Sequence, residues 1–198
     1  MQFIAPLHSS PGQAMTYKIA VVVGSIRRES FNKQLAHAVV SLAPPDFSFE
    51  FLDIAGLPLY SQDYDGDFPE VARTFKQKIE AANGLLFVTP EYNRSIPGVL
   101  KNALDWGSRP WGHSVWGNKP GAVLGTSPGA TGTALAQAHL RNVLAYLDVP
   151  LMGQPERFVK HDINRIDASG TIVSEDTRKF LQNFVDKYVA WVQRLATV

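Results

Sequence analysis

The chain has 198 residues, 45% hydrophobic and 19% charged, with 19 Lys and Arg against 18 Asp and Glu. That length and balance describe one globular domain burying about 70% of its unfolded surface, and exclude a disordered chain and a broad basic nucleic-acid face. The absence of cysteine excludes a disulfide, a thiolate nucleophile and Cys-ligated zinc or iron–sulfur clusters, and is compatible with the cytoplasm.

Residues 1–16 hold Pro6, Ser9, Ser10, Pro11 and Gly12 without the basic-then-apolar order of a signal peptide. They read as a flexible arm, with Met15 a candidate start and residues 17–198 a single domain. Lys18 to Val23 (KIAVVV) is a continuous apolar run, expected of a strand covered on both faces. From Ser30 the pattern turns helical, with Phe31, Leu35, Ala38, Val39 and Leu42 at helical spacing and Pro44-Pro45 as the stop. Phe47 to Ile54 is the second strand, and 55–68 is loop. Pro69 opens a helix with Val71, Phe75, Ile79 and Ala82 on its apolar face, ended at Asn83-Gly84. Leu85 to Thr89 is a third strand, and Pro97 starts a helix that turns Leu100 and Leu104 to the core.

Gly121 to Thr126 is the fourth strand, and 131–147 a helix carrying Leu135, Leu140, Val143, Leu144 and Leu147. A weaker strand interrupted by Pro and Gly lies within 150–159. Ser174 caps the last helix, with Glu175 and Asp176 in its first turn. Phe180, Phe184, Tyr188, Trp191 and Leu195 form the expected buried face. No apolar run reaches the roughly 20 residues of a transmembrane helix.

Strands alternating with helices predict an open α/β fold with a five-stranded parallel sheet. Ligands of such sheets bind beyond the carboxyl ends of the strands, where strand order reverses. Three loops leave those ends. The first, Gly24-Ser-Ile-Arg-Arg-Glu-Ser30, sets hydroxyls and a guanidinium before a helix start, a donor set for a terminal phosphate. It is neither a Walker loop nor the three-glycine dinucleotide fingerprint, and an ordinary capped helix explains it as well. The second, Pro90-Glu-Tyr-Asn-Arg-Ser-Ile96, offers backbone donors and an aromatic to the edge of a flat ring, or is a polar connection with Tyr92 half-buried. The third, Ser127-Pro-Gly-Ala-Thr131, permits close approach of a ligand.

Other features carry less. The five histidines lack metal-ligand spacing. Trp106, Trp111 and Trp116 read as packing. Asp63, Asp65 and Asp67 lack the closing glutamate of a calcium loop. Ser127 has no Gly-x-Ser-x-Gly elbow.

The segments GSIRRESFNKQLA (24–36) and PEYNRSIPGVLKNALDWGSR (90–109) resemble the NADPH-dependent FMN reductase family, which includes quinone and chromate reductases. The resemblance runs from about Lys18 onward. It implies a flavodoxin-like three-layer fold holding FMN non-covalently. Ser25, Arg27, Ser30 and Asn32 would hold the phosphate. Pro90, Glu91, Tyr92, Asn93 and Arg94 would line the isoalloxazine ring, and Ser127 and Gly129 the last loop. It further implies ping-pong hydride transfer from NADPH or NADH through FMN to quinones, azo compounds, chromate or free flavin. No side chain need act as acid, base or nucleophile. A homodimer or homotetramer is expected, with Asn102, Leu104, Asp105 and Trp106 as the contact. The alternatives are a flavodoxin-type electron carrier, which the near-neutral net charge disfavours, and a flavin-binding redox module without NAD(P)H activity of its own.

Overall fold

From Ile19 to Val23 no residue is more than 5% exposed, which requires cover on both faces of the strand they form. The computed structural model, which describes residues 16–196, provides it. The expected arm, apart from Thr16, and Met15 lie outside the described residues.

Strands and helices alternate: β1 (Tyr17–Val23), α1 (Phe31–Val40), β2 (Phe47–Phe51), α2 (Glu70–Glu80), β3 (Gly84–Val88), α3 (Gly98–Ser108), β4 (Gly121–Ser127), α4 (Ala134–Tyr146), β5 (Phe158–Lys160) and α5 (Glu175–Leu195). All five strands are parallel, in the order β2-β1-β3-β4-β5. This is the flavodoxin-like order, whose reversal lies between β1 and β3. Their register, from Ile19 opposite Gly84 to Val23 opposite Val88, brings the two carboxyl ends level.

Successive side chains along a strand face opposite layers. Ile19, Val21, Val23, Leu86, Val88 and Leu124 pack under α1 and α5. Ala20, Val22, Leu85, Phe87 and Val123 pack against α2, α3 and α4. No helix among the described residues is long and apolar enough to cross a membrane.

Several local expectations need correction. β2 ends at Phe51 rather than Ile54. The 150–159 strand is broken in two. Leu151 bridges to Gly121, and Phe158–Lys160 pairs with Gly125–Ser127, so the intervening segment carries three residues more than β4 can match. On α2, Ala72 and not Val71 faces the core. The buried stripe of α5 is Leu181, Phe184, Val185, Tyr188 and Val192. It shares two positions with the expected face but is rotated about its axis. Phe180 thereby stays 43% exposed, with the Arg157 guanidinium 4.3 Å above its ring. α4 begins at Ala134, because Thr133 sits at φ 74° and breaks the helical backbone.

Candidate active site

At the carboxyl edge the chain leaves β1 through Gly24, whose N–H donates to Val88 O at 2.9 Å. A Cβ at Gly24 would stand 3.0 Å from the Leu100 side chain and 3.4 Å from Pro90, so a larger residue would have to push Leu100 aside where β1 meets the second loop. Ser25 and Ser30 are buried. The Ser30 hydroxyl caps α1 by accepting from Lys33 N. The backbone N–H groups of Phe31 and Asn32 remain without partners among the described residues, as the first turn of a helix dictates. The Arg27 guanidinium lies 4.8 Å above the Phe31 ring, and its nearest carboxylate, Glu29, is 4.0 Å away. Phe31 in turn stacks on His161 at 3.6 Å. Burial holds the His161 imidazole below its ordinary value, with Asp162 opposing that shift and Arg27 adding to it.

The second loop closes on itself. Tyr92 and Ser95 exchange both backbone hydrogen bonds at 3.0 Å, around Asn93 at φ 51° and Arg94 at φ 63°. Two positive φ values make this a type I′ turn; Asn tolerates that geometry, whereas Arg is strained in it. Tyr92, Asn93 and Arg94 stand exposed on the turn. In the third loop the Ser127 hydroxyl donates to Gly129 O at 3.5 Å. A Cβ on Gly125 would fall 2.1 Å from Thr89 O and 2.3 Å from Thr133 Oγ1, which forces glycine.

Two of the residues expected to contact a ligand also hold the loops together. Asn32, 3% exposed, donates to Thr126 O at 2.9 Å and accepts from Thr126 N at 3.0 Å. It clamps the first loop to the end of β4. Glu91 Oε2 accepts from the N–H groups of Leu135 and Ala136, both at 3.0 Å. It therefore caps α4, which Thr133 leaves uncapped. A third tie joins Ser95 Oγ to His139 Nδ1 at 3.0 Å. Neither the cap from Glu91 nor the His139 tie has a signal in local sequence, since each bridges 44 positions.

The proposed contact helix is also corrected. Leu104 and Trp106 are fully buried within the chain. Asn102 holds the 58–60 loop by donating to Pro58 O and accepting from Tyr60 N, and Asp105 pairs with Lys101. Of the three tryptophans only Trp111 is exposed, by 75%. No group of three metal-ligating side chains occurs among the described residues.

A conserved-family model for NADPH-dependent FMN reductases matches residues 17–163, from β1 through the clamp residues to the end of β5. The chain belongs to that family. A 2-hydroxy-1,4-benzoquinone reductase from Burkholderia sp is 75% identical over 179 residues, spanning 90% of this chain and 98% of the relative. A quinone reductase from Pseudomonas putida is 45% identical, spanning 91% and 97%. Among solved structures, a flavoenzyme NAD(P)H:(acceptor) oxidoreductase from Paracoccus denitrificans superposes with a TM-score of 0.88 at 42% identity, over 92% of this chain and all of that one.

The protein is thus an NAD(P)H-dependent oxidoreductase with FMN as its cofactor. The donor set at the first loop fits that group. Unclaimed N–H groups at a helix start, with hydroxyls and a half-exposed guanidinium whose nearest carboxylate stands 4.0 Å away, are what a phosphate monoester requires.

Proposed function

We propose that the protein reduces quinones of the benzoquinone class by a ping-pong reaction, with NADPH or NADH as donor. The observation that carries this reading is the convergence of the three loops at the β1/β3 switch point. A phosphate-type donor set lies on one side there, and an exposed aromatic turn on the other. The names of the two curated relatives, both quinone reductases, support the choice of acceptor.

Bound FMN supplies reversible hydride acceptance, which lets donor and acceptor use one site in succession. The protein's part is binding and orientation. Ser25, Arg27, Ser30 and the N–H groups of Phe31 and Asn32 hold the phosphate. Pro90, Tyr92, Asn93 and Arg94 line the ring and its approach, with Ser127 and Gly129 on the facing loop. Asn32 and Glu91 act one step back, fixing the loops so that these donors need no rearrangement on binding. No side chain is assigned as acid, base or nucleophile in the hydride step. The open turn also admits azo compounds, chromate or free flavin as further acceptors.

The assembly in this reading is a homodimer or homotetramer. Exposed Trp111 and Tyr146, which line one shallow cavity of about 360 Å³, support an interaction surface away from the loops. The cytoplasm, where NAD(P)H is available, is its compartment. Residues 17–198 act as one domain. Steady-state rates at varied NADPH and several fixed benzoquinone concentrations test the order: parallel double-reciprocal lines are expected, and intersecting lines refute it.

A further inference from the structure

Thr89 follows β3 directly and is fully buried. Its N–H donates to Leu124 O at 3.0 Å, and its C=O is pressed against Gly125, where an added Cβ would stand 2.1 Å away, so β4 fixes its backbone. As the residue before Pro90 it is confined to extended conformations, and β-branching leaves its side chain few rotamers. The Thr89 hydroxyl donates forward, to Pro90 O at 2.8 Å.

That bond sets the plane of the next peptide. Pro90–Glu91 is trans, and in a trans peptide the C=O and N–H point in opposite directions. With the C=O turned toward the buried Thr89 side chain, the Glu91 N–H turns outward at the carboxyl edge of the sheet. This N–H has no partner among the described residues. The Glu91 carboxylate, held by Leu135 N and Ala136 N, tethers the far side of the same peptide. Pro90 contributes no N–H of its own, so Glu91 is the first backbone donor the second loop can offer a ring.

We propose that Thr89 is a positioning residue for the flavin: its hydroxyl holds the Pro90–Glu91 peptide so that the Glu91 N–H faces the edge of the isoalloxazine ring. Thr89 itself touches no ligand. The inference rests on the placement of the ring against the second loop in the function proposed above. A donor preset in this way needs no rearrangement as negative charge arrives on the ring. Without the hydroxyl the peptide is free to turn over, which would set the Pro90 carbonyl oxygen against the ring in place of the N–H.

The test compares Thr89→Val and Thr89→Ser with the parent, by fluorescence titration of FMN and by the midpoint potential of the FMN-loaded protein. Loss of one neutral hydrogen bond to the ring should weaken oxidised FMN by roughly 2- to 13-fold in Thr89→Val. Reduced FMN, with negative charge on the ring, should lose more; a further loss of about tenfold lowers the midpoint potential by about 30 mV. Thr89→Ser, which keeps the hydroxyl, should match the parent in both. Unchanged affinity and potential in Thr89→Val, or an equal loss in Thr89→Ser, overturns the proposal. Amide exchange in the isotope-labelled parent, followed by NMR, needs no variant: FMN should slow exchange at Glu91. An unprotected Glu91 amide beside FMN-shifted signals from 92–96 refutes the positioning role and leaves the ring on the loop. Signals there that ignore FMN refute the ring placement and the proposal together.

Discussion

Replacing Asn32 by Ala separates a positioning role from direct contact with the cofactor. Asn32 makes two hydrogen bonds, of 2.9 and 3.0 Å, to the backbone of Thr126 in a region sealed from solvent. Truncation leaves a buried N–H and a buried C=O unpaired, each costing about 1–3 kcal/mol, so the expected loss is about 2–6 kcal/mol. For a domain of this size each kcal/mol moves the midpoint by about 2–4 °C, giving a fall of about 4–24 °C. The assay is thermal unfolding of FMN-free protein, so that ligand binding adds nothing to the apparent stability. FMN affinity should fall as well, because the first loop and the end of β4 are no longer tied. An apoprotein midpoint within about 2 °C of the parent, a shift worth roughly 1 kcal/mol or less, would refute the clamp if FMN binding were nonetheless lost. Asn32 would then be a phosphate ligand.

Arg27→Ala should behave in the opposite way. It removes a charge-assisted hydrogen bond of about 1.5–3 kcal/mol, weakening FMN about 10- to 150-fold in a fluorescence titration; the half-exposed side chain leaves apoprotein stability nearly unchanged, and equal FMN affinity would remove Arg27 from the phosphate site. Glu91→Ala strips the cap from α4, an effect of about 0.5–2 kcal/mol visible as a lower unfolding midpoint, and no change would mean that the two contacts to Leu135 and Ala136 are unimportant. Glu50 accepts from Lys18 at 2.7 Å and Lys78 at 3.1 Å, bonds that hold its carboxyl below the ordinary 4.5. Its stabilisation is therefore full above that value and lost as pH falls through the lower folded value. The stability gap between the parent and Glu50→Gln should be constant near neutrality and close below about pH 4.5, and a gap that widens in acid would contradict the assignment.

How far the sequence reveals the site depends on how local each determinant is. The KIAVVV run announces a strand covered on both faces, and Ser30 announces the start of α1, because burial and capping are written within a few residues of where they act. The rotation of the α5 stripe was not legible. Phe184 and Tyr188 suit either face, and which neighbours join them depends on how the helix meets the sheet. Asn32 and Glu91 show the same limit at the site. Their residue types and loops were evident, but the backbone groups they grip lie 94 and 44 positions away, which no local pattern announces. The I′ turn was hidden for another reason: Arg94 at positive φ defies its own preference, and tertiary ties such as Ser95 to His139 hold it there.

The central question is whether FMN at these three loops accepts hydride from NAD(P)H. Anaerobic titration of the purified protein with NADPH, followed in the visible flavin bands, tests it most directly. A yellow protein bleached by about one equivalent is expected, since one hydride carries the two electrons that FMN accepts. A yellow protein that neither NADPH nor NADH bleaches, or a chain that takes up no FMN, would contradict it.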